Sequence, residues 1–196
     1  AGTPSITGTI MAGDTANFTQ AFDTENVGAG KTLTPGGSVS DGNGGANYDV
    51  TLTAAAVGTI TARPITVTAV TDTKVYNGTN ASAGAPTITS GTLAAGDSVT
   101  WTQSFDTANA GTGKTLTPAG TVVDGNSGLN YNVTIATDTT GVISPVALTF
   151  TTDSKTKVDG SADPALTYQL TSGAFVGGDT LLAGSLLRAA GENVGN

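Results

Sequence analysis

Two short segments, Asp41-Gly42-Asn43-Gly44-Gly45 and Asp124-Gly125-Asn126-Ser127-Gly128, crowd carboxylate and amide oxygens into one stretch of chain. Oxygen-rich loops are what calcium takes as ligands. Asp41, Asn43, Asp124 and Asn126 are therefore the candidate metal ligands, and Ca2+ is the one candidate cofactor. An EF-hand loop needs further acids and a Glu at its twelfth position, where Leu52 and Ile135 stand. The competing reading is a turn, because Asp and Asn tolerate left-handed backbone and bond their own main chain. The missing ligands favour the turn. Asp72, Asp138 and Asp153 offer further oxygens near module ends.

A second chemistry is covalent. Lys31 and Lys114 recur with Asn47 and Asn130, and with Asp23/Asp106 or Asp41/Asp124 as the acid. A buried Lys beside an Asn and an acid can close an isopeptide bond. A solvated Lys, with the Asn capping a turn before Tyr, is the favoured alternative, since Lys is seldom fully buried. An exposed Trp101 could stack on a sugar, but it lies in phase with Val99 and Phe105, which favours a core place. No pair of acids stands out from turn use, so glycoside hydrolysis has no candidate residues.

Composition narrows the classes further. In 196 residues there is no Cys and no His. Disulfides, thiolate metal sites, cysteine nucleophiles and Ser-His-Asp triads are excluded within this chain. Catalytic residues are not expected, and the chain is not read as an enzyme. Fifteen acids against seven Lys and Arg give a net charge of -8, the wrong sign for a nucleic-acid surface. No apolar run reaches the 18 residues of a membrane span.

These residues are placed by a repeat. Gly8 to Thr61 aligns without a gap on Gly91 to Ser144, at an offset of 83, with more than half of the positions identical. The match includes Thr19-Gln20 and Phe22-Asp23-Thr24 against Thr102-Gln103 and Phe105-Asp106-Thr107. Gly30-Lys31-Thr32-Leu33-Thr34-Pro35 matches Gly113-Lys114-Thr115-Leu116-Thr117-Pro118. The offset continues into Ile143 onward, which resembles Ile60 onward at its start. Three modules follow: residues 1–63, lacking a first strand; 64–145, complete; and 146–196, incomplete at its C-terminal side. The chain is expected to belong to a longer tandem array. The links around Pro64 and Pro145 are short and stiffened by proline, which favours end-to-end stacking.

Inside the modules, apolar residues alternate with Thr. Ile65, Val67 and Ala69 alternate with Thr66, Thr68 and Val70; Tyr131, Val133 and Ile135 alternate with Asn132, Thr134 and Ala136. That period of two, punctuated by Gly and Asp turns, predicts an all-β protein of small antiparallel modules, Ig-like sandwiches or β-grasp-like units, in an elongated array. A module of some 80 residues buries only about 60–65% of its unfolded surface, so packing between neighbours is expected to add stability.

Lys74-Val75-Tyr76-Asn77-Gly78-Thr79, followed by Phe-Asp-Thr-x-Asn-x-Gly-x-Gly-Lys-Thr and Asn-Tyr-x-Val, resembles the YDG-type repeat. Gly160-Ser161-Ala162-Asp163-Pro164-Ala165-Leu166-Thr167-Tyr168, Gly178-Asp179-Thr180-Leu181 and Arg188-Ala189-Ala190-Gly191-Glu192-Asn193-Val194-Gly195 are similar to the MBG-type repeat. Asn77 stands where the first family usually has Asp, and Asp159-Gly160 where the second usually has Tyr-Gly. The resemblance implies stalk repeats of large, secreted bacterial surface adhesins of the filamentous-haemagglutinin or biofilm-matrix kind. It implies an extracellular, cell-surface location and neighbouring modules of the same chain as partners. The alternative function is a self-assembling filament subunit or a carbohydrate-binding module, with polysaccharide or further copies as partners.

Overall fold

The Thr-rich alternation resolves into strands joined by Gly and Asp turns. A computed structural model describes residues 2–182 and 184–191. Among these there is no helix. The strands are β1 (Thr15–Phe22), β2 (Gly28–Ser40), β3 (Ala55–Ile60), β4 (Arg63–Thr68), β5 (Thr73–Val75) and β6 (Thr87–Ser90). They continue as β7 (Thr102–Phe105), β8 (Gly111–Ala119), β9 (Tyr131–Ala136), β10 (Asp138–Ser144), β11 (Thr149–Thr152) and β12 (Tyr168–Ser172). The all-β class and its small sheets agree with the sequence pattern.

Among the described residues four sheets form, in the orders β1-β2-β3, β6-β4-β9, β5-β10-β8-β7 and β11-β12. β1 and β2 pair antiparallel from Thr15↔Ser40 to Phe22↔Leu33. β7 and β8 repeat only the inner part of this ladder, from Thr102↔Ala119 to Phe105↔Leu116. One pairing departs from the expected antiparallel rule: β5 runs parallel to β10, with Thr73 opposite Val142 and Val75 opposite Ser144. Parallel neighbours need a long crossover, and four strands lie between these two in sequence. Alternation within a strand carries no sign of its partner's direction.

The chain divides into two compact units. One contains residues 1–66, 88–100 and 120–134; the other contains 67–87, 101–119 and 135–196. Each unit therefore joins part of the second repeat to a neighbouring repeat. In the first unit the buried apolar side chains are Val39, Ile65, Val122 and Tyr131. In the second they are Val67, Ala69, Phe105, Leu116 and Ile143, with Tyr76 packed against this cluster. Ile65 and Val67 of β4, and Ala69 just beyond its end, point inward while Thr66 and Thr68 stay half-exposed, as a period of two requires.

Gly141 shows why one repeated glycine is needed. A Cβ there would lie 2.9 Å from the Phe105 ring and 2.9 Å from the Lys114 carbonyl oxygen. Its equivalent, Gly58, has the same relation to Phe22 and Lys31. In both repeats the strand backbone serves as the surface on which the phenylalanine rests. The third repeat pairs β11 with β12 and sets Phe150 edge-on to Tyr168, with ring centroids 5.6 Å apart.

Candidate functional site

The two Asp-Gly-Asn segments fold identically. Asp41 Oδ1 accepts the amides of Asn43 and Gly45 at 2.8 Å each, and Oδ2 accepts that of Asn47 at 3.0 Å. Asp124 repeats this with Asn126 and Gly128 at 2.8 Å and Asn130 at 3.0 Å. Each carboxylate thus closes a turn on three backbone N–H donors. Donation from Gly45, Asn43 and Asn47 holds the Asp41 carboxyl below its usual range. Burial pushes the Asp124 carboxyl up, but the amides of Gly128, Asn126 and Asn130 outweigh it, and the net shift is again downward. The two asparagine candidates act within the same turns: Asn43 Nδ2 donates to Asn47 Oδ1 at 3.1 Å, and Asn126 Nδ2 to Asn130 Oδ1 at 3.0 Å. Among the described residues no three acidic side chains gather closely enough to hold a metal ion.

The scattered acids are engaged in the same way. Asp72 accepts the Ser82 hydroxyl at 2.5 Å and the Ala83 amide at 3.0 Å. Asp138 accepts from Thr140 at 2.6 Å, and Asp153 from Gln169 at 2.9 Å.

The lysines depart from the solvated picture. Lys114 is buried and pairs with Asp106 at 3.0 Å, and its ammonium also donates to the Thr107 hydroxyl. The hydrogen bond from Lys114 holds the Asp106 carboxyl low. An ion pair at the strand end, which leaves Asp106 itself exposed to water, is what makes the burial of this Lys tolerable. Lys31 is half-exposed. The Asn130 side chain takes its partners elsewhere, at Asn26, Val27 and Asn126. Trp101 is half-buried, and its indole nitrogen is buried without a hydrogen-bond partner among the described residues.

Polar contacts also join one repeat to the next. Asn130 of the second repeat accepts the Val27 amide at 2.8 Å and donates to Asn26 Oδ1 at 3.0 Å, both in the first repeat. β3 and β4 are joined by two residues, and the Arg63 amide donates to the Asn130 carbonyl at 2.8 Å. At the following junction Tyr76 and Asp179 of the third repeat line one cleft, and the nearby carboxylate raises the phenol's pKa.

That pairing belongs to a pattern. Gly13-Asp14, Gly96-Asp97 and Gly178-Asp179 recur along the chain. Tyr48 donates to Asp14 at 2.6 Å, and Tyr131 donates to Asp97. The first two repeats supply the tyrosine themselves, whereas the third receives it from the repeat before.

Sequence reading missed these groups. Asn26/Asn109, Asp14/Asp97 and Gln20/Gln103 are all retained between repeats, and that retention was the available signal. Gln103 is the plainest case: a polar residue inside the apolar row, 4% exposed, whose amide clamps the Val70 backbone at 2.9 Å and 2.8 Å.

Among the described residues no helix is long and apolar enough to cross a membrane. Glu192, Asn193, Val194 and Gly195 of the last motif lie outside the described residues. Neither the curated proteins nor the solved structures give a match to this chain. Family comparison does: residues 61–140 match the YDG domain and residues 148–196 the MBG domain of YGX type. The chain therefore carries a YDG domain followed by an MBG domain of the YGX type.

Proposed function

We propose that this chain is a stalk segment of a secreted bacterial surface adhesin or extracellular fibre. Its work is mechanical: to space a binding region away from the cell. One observation carries the reading. The junction between the first two repeats is made of ordered hydrogen bonds, with Asn130 bound to Asn26 and Val27, and at the next junction Tyr76 and Asp179 line one cleft. A linker meant to swing would be long and free of such contacts. The two-residue connection between β3 and β4 leaves little slack. The resemblance to adhesin repeats supports the extracellular setting.

Small-angle scattering on the full chain tests this. A compact globule of this length has a radius of gyration of about 16 Å. The stalk reading expects a clearly larger value that does not change with moderate salt. A value near that of the globule, or a broad distribution of dimensions, would contradict it.

A further inference from the structure

We infer that Asn77 is a site of self-modification, at which the chain converts an asparagine to aspartate through a backbone succinimide, with water as the co-reactant. This inference stands independently of the stalk role.

Two Asn-Gly pairs occur in the chain, Asn43-Gly44 and Asn77-Gly78. Glycine has no side chain to shield its own amide nitrogen, so such a pair suits attack of that nitrogen on the preceding side chain. The fold holds the two pairs in opposite ways. At Asn77 the engaged group is the side-chain oxygen. Oδ1 accepts the Lys74 ammonium at 3.1 Å, the Thr79 amide at 3.1 Å and the Thr79 hydroxyl at 2.9 Å. At Asn43 the engaged group is the nitrogen, with Nδ2 donating to Asn47 Oδ1 at 3.1 Å.

The groups around Asn77 are fixed before any reaction. The Lys74 ammonium also donates to the carbonyls of Thr79 and Ala81, at 2.6 and 2.8 Å, and lies 5.3 Å from the centroid of the buried Phe105 ring. Gly78 has a left-handed φ of +77°, and a Cβ there would lie 3.2 Å from a Val176 methyl carbon, so glycine suits this place. Among the described residues the Gly78 amide has no hydrogen-bond acceptor, which leaves its proton open to solvent base.

The step balances with water alone. A base in solvent takes the Gly78 amide proton, and the nitrogen attacks Asn77 Cγ. Negative charge develops on Oδ1, where an ammonium, an amide and a hydroxyl already point, as in an oxyanion hole. The Cγ–Nδ2 bond breaks, Nδ2 leaves as ammonia with a proton from water, and a five-membered imide remains. Water then opens the ring, to aspartate or, by attack on the backbone carbonyl, to isoaspartate. The product also suits one pair and not the other. A carboxylate at position 77 faces the Lys74 ammonium and turns a neutral hydrogen bond into an ion pair. A carboxylate at position 43 faces the Asn47 oxygen and stands two residues from the Asp41 carboxylate, a repulsive neighbour.

The test incubates the full chain at mildly alkaline pH and follows both asparagines by peptide mass spectrometry, where conversion adds about 1 Da. In the folded chain Asn77 is expected to convert about tenfold faster than Asn43, and in urea the preference should vanish. Lys74→Met removes the ammonium and should slow Asn77 about tenfold while Asn43 keeps its rate. Thr79→Val keeps the charge, removes one donor and should slow Asn77 by a smaller factor. A further readout needs no kinetics: Asn77→Asp should unfold at no lower a urea concentration than the parent chain, and Asn43→Asp at a lower one. Equal rates at the two asparagines in the folded chain would overturn the inference. So would a preference that persists in urea, an Asn77 rate that neither Lys74→Met nor Thr79→Val slows, or a destabilised Asn77→Asp chain.

Discussion

The first and second repeats place the same residues in different surroundings. Phe105, Leu116 and Ile143 are 1%, 0% and 1% exposed. Phe22, Leu33 and Ile60, their sequence equivalents, are only half-buried. Lys114 and Gln103 are buried where Lys31 and Gln20 are not. Tyr131 to Ala136 forms a strand, whereas Tyr48 to Thr53 forms none. The covering segment makes the difference: β4 and β5 pack with the second repeat's other strands, and among the described residues no strand takes these places in the first. A sheet residue becomes core only when a second layer closes over it. Identity of sequence thus sets the face that a residue presents, and the neighbouring strand sets the energy it contributes.

Truncating the shared phenylalanine breaks this comparison most severely. Phe105→Ala is expected to cost about 3–5 kcal/mol, the range for a buried aromatic, while Phe22→Ala costs clearly less. Chemical denaturation of both variants, read by residue-resolved signals in each repeat, measures the gap. Equal losses would remove the distinction.

The shared glutamine gives the next effect. Gln103→Ala leaves the Val70 amide and carbonyl without their partner, an expected loss of about 1–3 kcal/mol. Gln20→Ala should change thermal stability little, since no strand lies against it.

The junction should respond more gently. Asn130→Ala removes the bonds to Asn26 and Val27 and should cost about 1 kcal/mol. Its mark is faster exchange of the Val27 amide while the amides of Phe105 and Leu116 stay protected.

Acid titration sharpens the comparison in the other direction, because here the repeats agree. Asp41 and Asp124 both titrate below the ordinary 3.8 in the folded chain. Each is therefore stabilising at pH above 3.8, and that contribution is lost as pH falls through the lower folded value. Carboxyl NMR signals of both residues should move together and titrate below those of an exposed Asp. A normal titration at either turn would show that its three N–H donors are not engaged.

Much of this was legible in the sequence. The repeat offset, the β class and the turn role of Asp41 and Asp124 follow from spacing and residue type, because a period of two and Asp-Gly turns are local properties. Burial of Lys114 was not legible: its Asp106 partner is fixed only when β7 and β8 pair. The parallel contact of β5 with β10 was hidden for the same reason. So was the clamp of Gln103 on Val70, although a Gln retained in the apolar register of both repeats marked the position. The placing of Tyr76 beside Asp179 of the neighbouring repeat depends on how modules meet, which no single strand encodes.

Residue-resolved hydrogen exchange on the full chain tests the central claim most directly. Amides of Tyr131 to Ala136 are expected to be protected, and those of Tyr48 to Thr53 to exchange at rates near an open chain, despite their similar sequences. Comparable protection of the two segments would contradict the account, because burial would then follow from each repeat's own residues and not from the strand laid over them.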